Sequence, residues 1–216
     1  MSIPESPVEL SPVRTRRQRA NDFLYSWLRF AICTVILTFS LKTYIVQAFS
    51  IPSGSMENTL RVGDKTIVEK VSKHFGGSPG RGKIVVFRDP GGWLSSTDEE
   101  KSAASWQNSA LSFLGLSASS GDKYLIKRVV ARGRDTVECH GSGPLKVNGV
   151  AVKENYIYPG DNSCSGLAFG PVKVPSGKLW VMGDHRSVSA DSRFHSSVDG
   201  GFVSEELVVG VLIFAL

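Results

Sequence analysis

A serine hydroxyl attacks a carbonyl only if a base takes its proton, and the usual base is poorly represented in this chain. Ser55 lies in the run Ile51-Pro52-Ser53-Gly54-Ser55-Met56. Gly54 flanks it and Pro52 fixes the approach, which favours a tight turn presenting the hydroxyl. The histidines (His74, His140, His185, His195) are scattered, and none has an Asp or Glu orienter pattern around a Gly-x-Ser-x-Gly elbow. The other solution is a lysine that has lost its proton. An ordinary lysine near ~10.4 must then be lowered by several units, which apolar surroundings achieve. Lys127, in Tyr124-Leu125-Ile126-Lys127-Arg128-Val129-Val130, is the lysine most deeply set among aliphatic neighbours. On strand alternation it shares a face with Leu125 and Val129, while Arg128 points with Ile126 and Val130. Such a lysine is either functional or a solvated edge residue, and spacing alone leaves both open.

Other chemistries find less support. The cysteines (Cys33, Cys139, Cys164) contain no CxxC pair, and the histidines lack ligand spacing, so no metal and no other cofactor is expected. Ser120-Gly121-Asp122-Lys123 matches the Ser-x-x-Lys string of acyltransferases and β-lactamases, but it sits in a Gly/Ser loop rather than opening an apolar helix. The formal charge of +5 is mildly basic. Its dense run, Arg14, Arg16, Arg17 and Arg19, stands before an apolar segment rather than on a stripe with interleaved aromatics. That placement suits anionic lipid and argues against nucleic acid as a partner.

The elements that must position Ser55 and Lys127 are strands. Period-two patterning and turn residues mark Lys65–Val71, Lys83–Arg88, Tyr124–Arg132, Thr136–Cys139, Leu145–Val152, Lys178–Met182 and Leu207–Phe214. Asn148-Gly149 is a two-residue hairpin signal. No long amphipathic helix interrupts them, so the expected fold is mainly β. Residues 91–122, with Trp93, Leu94, Trp106, Leu111, Phe113, Leu114 and Leu116, read as an insertion. It forms either an amphipathic, lipid-dipping segment or a solvated loop.

Ahead of the β-domain, Phe23–Val46 is apolar or weakly polar except for Arg29 and Lys42. At ~1.5 Å per residue it reaches ~36 Å, enough for a hydrocarbon core of ~30 Å. Its length exceeds the ~7–15 residues of a signal-peptide core, although Val46-Gln47-Ala48 offers small residues for cleavage. The expectation is an uncleaved anchor. The organisation is then a disordered cytoplasmic tail over 1–21, one transmembrane helix over 22–47 and an extracytoplasmic domain over 48–216. The arginines before the span place the N-terminus in the cytoplasm of a single-pass protein of the cell membrane. Outside that membrane Cys139 and Cys164 are free to form a disulfide, the alternative being two separate thiols.

Four stretches, in order, resemble the motif boxes of bacterial type I signal peptidases. Ser53-Gly54-Ser55-Met56 with Thr59-Leu60 resembles the nucleophile box, and Arg61-Val62-Gly63-Asp64 through Val68 and Lys70 the strand box after it. Tyr124 to Val129 with Gly133 and Asp135 resembles the lysine box. Met182-Gly183-Asp184-His185-Arg186-Ser187-Val188-Ser189-Ala190-Asp191-Ser192-Arg193 resembles the Gly-Asp-Asn-Arg-Asp-Asn-Ser-x-Asp-Ser-Arg box. The resemblance implies a signal-peptidase-like β-domain and a membrane-bound serine endopeptidase. Such an enzyme cuts after Ala-x-Ala-like sites to free signal peptides from secretory preproteins.

By position it implies Ser55 as nucleophile, Lys127 as general base, and Ser53 as an oxyanion donor. Ser189 is implied to hydrogen-bond the lysine, while Asp191, Arg193, Asp184 and Arg128 brace the site. Ile51, Met56, Leu60 and Ile126 are implied to line the substrate pockets. Departures are His185, Ser187 and Val188 in the last box, Arg132-Gly133-Arg134-Asp135 in place of Gly-x-Pro-Gly-Asp, and Asn58 where proline is common. A non-catalytic, peptide-binding β-domain is the rival of another class. Intact Ser55, Lys127 and Ser189 speak against it.

Overall fold

The structure, a computed structural model, describes residues 16–44, 46–70, 77–94 and 123–215. The chain divides into two units, Met1–Leu41 and Lys42–Leu216. In the first, helix α1 (Arg16–Tyr44) begins inside the stretch expected to be a disordered tail over 1–21 and ends before residue 47. Among the described residues no helix is long and apolar enough to cross a membrane, so the expected transmembrane helix over 22–47 is not borne out. The reason lies in the charges. Arg29 interrupts the apolar run, and only twelve uncharged residues separate it from Lys42, about 18 Å of helix.

The second unit is mainly β, as the sequence patterning predicts. Its described residues form eleven strands: β1 (Val46–Ser50), β2 (Lys65–Glu69), β3 (Ile84–Arg88), β4 (Tyr124–Arg132), β5 (Thr136–Cys139), β6 (Lys146–Val147), β7 (Val150–Ala151), β8 (Phe169–Lys173), β9 (Lys178–Met182), β10 (Val203–Ser204) and β11 (Val208–Ala215). They form a seven-stranded sheet ordered β1-β2-β11-β3-β4-β9-β10 and a four-stranded sheet ordered β7-β6-β5-β8. Every pairing is antiparallel. The seven segments expected from the sequence all appear within a few residues, and β1, β8 and β10 were not anticipated. Most of the insertion, residues 95–122, lies outside the described residues, as does Ser120-Gly121-Asp122.

Alternation on β3 and β4 does not separate a wet face from a dry one. Val85, Phe87, Leu125 and Val129 enter one apolar cluster with Trp93, Leu179 and Val181. Ile84, Val86 and Ile126 enter another with Phe49, Ile51, Met56, Leu60 and Val68. A strand packed on both faces leaves Lys127 and Arg128 buried. The third cluster joins the sheets and includes Val130, Val137, Leu145, Val147, Trp180 and Met182. Cys139 and Cys164 belong to it and are joined as a disulfide.

The hairpin β6–β7 turns on Asn148 (φ 54°) and Gly149 (φ 78°), the pair of positive φ values a type I′ turn requires.

Candidate active site

Ser55 lies in a single 3-10 turn, Gly54–Met56, between β1 and β2. The loop is closed on itself by Ile51 N–H to Asp64 O at 3.0 Å and Gly63 N–H to Ile51 O at 2.9 Å. It is also locked to the chain 130 residues on. His185 N–H donates to Ser55 O at 3.1 Å. The approach depends on Gly183, where a Cβ would lie 2.5 Å from Ser55 O and 2.3 Å from Ser189 Oγ. No side chain is possible there without pushing the nucleophile turn away.

β4 brings Lys127 to this turn. Its Nζ is hydrogen-bonded to Ser55 Oγ at 2.5 Å, and only 4% of Lys127 and 6% of Ser55 remain exposed. Burial drives the lysine pKa down; the nearby carboxylates of Asp191 and Asp184 push it back up, and Arg193 lowers it again. The balance leaves it at about 8. Desolvation wins because no carboxylate is in hydrogen-bond contact with Nζ to keep the charge. Ser53 Oγ stands 3.3 Å from Ser55 Oγ.

Ser189 is placed differently from its expected role. It is buried close to Ser55 across Gly183, yet its Oγ has no hydrogen-bond partner among the described residues, Lys127 included.

The charges expected to brace the site form closed systems. Arg128 donates through Nε to Asp184 Oδ1 at 2.8 Å and through Nη2 to Oδ2 at 2.5 Å. Its Nη1 donates to Gly82 O at 2.7 Å, and its guanidinium lies 3.9 Å from the centre of the Tyr156 ring. Thr59 Oγ1 donates to the same carboxylate at 2.5 Å, tying the nucleophile loop to the pair. Arg193 forks onto Asp191 at 2.8 and 2.9 Å, and Asp191 also accepts from Gly183 N–H at 3.0 Å.

A third buried arginine, Arg186, was not singled out from the sequence. It pairs with Glu154 at 2.5 Å and donates to Gly183 O and Ser163 O. Arg186 lies inside the last motif box, so its position was legible; nothing marked Glu154.

Two of the departures from the family pattern coincide with positive φ values. Asn58 adopts φ 80°, which proline, held near −65°, cannot reach, and its amide donates to Tyr156 O and Ile157 O at 3.2 Å. Arg134 also lies in the left-handed region, at φ 78°. Its turn is held by Asp135, which accepts from Arg81, Arg132 N–H and Asn148. Burial pushes the Asp135 carboxyl up, but these donors outweigh it and hold the pKa at about 2.

A groove of about 430 Å³ opens beside Ser55 and Lys127. Phe49 to Ser55 form one side and Tyr124 to Lys127 another, and β9 takes up pairing with β4 only from Arg128 onward. Ile51 and Ile126 line it as expected. Met56 and Leu60 do not; both are packed into the apolar cluster beneath. Both are fully buried and serve as the loop's pegs. The walls missed from the sequence are Val62, Val86, Trp93, Leu94, Val188 and Ala190. They come from four separate segments, and no single motif carries them.

Comparison with known proteins gives a consistent result. Residues 24–216 match the family described as signal peptidase, peptidase S26. The chain is 42% identical over 194 residues to signal peptidase I of Mycobacterium tuberculosis, covering 83% of this chain and 65% of that protein. It is 39% identical to a probable signal peptidase I of Mycobacterium leprae, covering 82% and 66% of the two chains. Against signal peptidase I of Leptolyngbya laminosa the identity is 34%, covering 89% and 79%. The aligned region thus spans just under two thirds of the length of the mycobacterial relatives. With the motif boxes folded around one buried serine and one buried lysine, the chain belongs to the S26 family of signal peptidases.

Proposed function

We propose that this chain is a membrane-associated serine endopeptidase that removes signal peptides from secretory preproteins, with Ser55 as nucleophile and Lys127 as general base. The observation that carries the reading is the 2.5 Å contact between the buried Lys127 Nζ and Ser55 Oγ, where burial lowers the lysine to about 8. A neutral amine takes the Ser55 proton as Oγ attacks the scissile carbonyl. The resulting ammonium gives that proton to the departing amine, leaving an acyl group on Ser55. Lys127 then deprotonates the water that releases the acyl group, and the proton returns to Ser55. Ser53 Oγ, with the Ser55 N–H, supplies donors for the oxyanion.

The groove accepts an extended peptide between the Phe49–Ser55 segment and the edge of β4, with small side chains in apolar depressions. Ile51 and Ile126 support a preference for residues such as alanine.

Attachment to a bilayer is supported by α1. Phe23, Leu24, Trp27, Leu28, Phe30, Val35, Ile36 and Leu37 are all exposed, so the helix carries a broad apolar surface that Arg29 interrupts. Thr34 and Thr38 hydroxyls donate to carbonyls one turn back, leaving few polar groups for lipid to desolvate. Arg14 and the arginines of the first helical turn, Arg16, Arg17 and Arg19, favour a cytoplasmic N-terminus and an extracytoplasmic catalytic domain.

The test is incubation of the detergent-solubilised protein with a secretory precursor, beside Ser55→Ala and Lys127→Ala variants. Cleavage after a small residue by the wild type alone is the expected result. An uncut precursor, or variants that cut as well as the wild type, ends the proposal.

A further inference from the structure

His185 stands where the family pattern has asparagine, and the reaction as derived above leaves its side chain unused. Its backbone N–H already holds Ser55 O at 3.1 Å. Its ring lies flat on Tyr158, with centroids 3.8 Å apart and an interplanar angle of 10°. That stack aims Nδ1 at Glu57, 3.1 Å from Oε2. An ionised carboxylate only accepts hydrogen bonds, so Nδ1 carries the proton and donates. The neighbouring Asp184 is fully engaged by Arg128 and Thr59, which leaves Glu57 as the carboxylate for His185.

Glu57 is two residues from the nucleophile, and its carboxyl group lies over the catalytic turn. A Cβ built on Gly54 would meet the Glu57 carboxyl atoms at 3.0–3.1 Å. The Gly54–Met56 turn is therefore held from two directions by the same residue. The His185 main chain grips Ser55 O, and the His185 ring grips Glu57 against Gly54. Tyr158 is itself anchored, its N–H donating to Asp184 O at 3.0 Å.

We propose that His185 is a positioning residue, whose Nδ1–H grips Glu57 and so holds the Ser55 turn in line with Lys127. The inference rests on the peptidase reading above and adds a residue to it. Because the clamp contacts the turn rather than the substrate groove, its loss acts on kcat and leaves KM nearly unchanged.

The test compares His185→Ala, His185→Asn, His185→Gln and Glu57→Ala in precursor cleavage by the full chain, with a thermal melt of each. Asparagine places its amide nitrogen where Nδ1 stands; glutamine places it near Nε2, out of reach of Glu57. Both lose most of the Tyr158 stack, so the pair isolates donor position from packing. His185→Ala and Glu57→Ala are each expected to lower kcat about tenfold, the scale of one hydrogen bond to a charged group. The double variant is expected to be no worse than either alone. His185→Asn is expected to keep most of the wild-type kcat and His185→Gln to behave like alanine.

Equal kcat for the asparagine and glutamine variants overturns the clamp, as does multiplication of the losses in the double variant. Wild type that cuts while His185→Ala cuts equally well overturns this inference and leaves the peptidase reading standing. Wild type that leaves the precursor uncut removes the peptidase reading first.

Discussion

Lys127 and Arg128 are adjacent cations on one strand, 4% and 9% exposed, and the two sides of β4 treat them in opposite ways. On the Arg128 side a carboxylate, a carbonyl, a hydroxyl and an aromatic face converge on the guanidinium. On the Lys127 side the one side-chain hydrogen-bond partner among the described residues is the hydroxyl of Ser55, and the carboxylates of Asp184 and Asp191 act only through space. Burial is common to both. What differs is whether a counter-charge is in contact. A guanidinium cannot give up its proton and must be paired, whereas an ammonium can discharge and become a base. The strand thus carries an ion-paired arginine and, on the proposed reading, a base one residue apart.

The comparison breaks most sharply at Lys127. Lys127→Met is expected to abolish cleavage, a loss of about 10⁴-fold or more, while leaving the melting temperature equal or raised, because a buried amine is replaced by a fitting apolar chain. Ser55→Ala gives the same kinetic loss. A Lys127→Met protein that melts far below wild type contradicts the idea that Lys127 contributes nothing to stability by ion pairing.

On the other side of the strand the effect falls on stability. Asp184→Asn leaves Arg128 buried without its counter-charge, at a cost of roughly 3–5 kcal/mol in a denaturant melt. Pairing it with Arg128→Met is expected to recover part of that loss, since both charges are then gone. Ser53→Ala belongs to the Lys127 side. It is expected to lower kcat by roughly 10²-fold with an unchanged melt.

The mildest handle is pH. A lysine lowered to about 8 is neutral above that pH and charged below it. Cleavage is expected to fall tenfold per pH unit on the acid side of about 8 and to level off above it, read from kcat/KM with a buffer series. A flat profile from pH 6 to 9 contradicts the assignment of Lys127 as the base. Asp135 titrates at the opposite end. Its carboxyl, held at about 2 in the fold against an unfolded value near 3.9, adds stability that is present above pH ~4 and disappears as pH falls through about 2.

Local signals were legible wherever one segment's chemistry decided the outcome. The period-two pattern at 124–132 places β4 to the residue and puts Lys127 on the face of Leu125 and Val129. Asn148-Gly149 specifies the turn of β6–β7. β8 escaped because Gly170 and Pro171 weaken its strand signal, and it is tolerated as an edge strand. β10 has only two residues and is held by β9. α1 was anticipated in place but not in extent, and the transmembrane expectation gave too little weight to Arg29.

Amino-acid order alone determined the mainly β character and marked Ser55 and Lys127 as candidates, because residue type and alternation are local properties. Tertiary structure alone decided that Ser55 and Lys127, 72 positions apart, come within 2.5 Å. It also decided that Met56 and Leu60 are pegs rather than pocket walls, that Ser189 lacks its expected bond, and that Cys139 meets Cys164. Each of these is a distance between segments remote in sequence, and such distances are set by how the sheets pack.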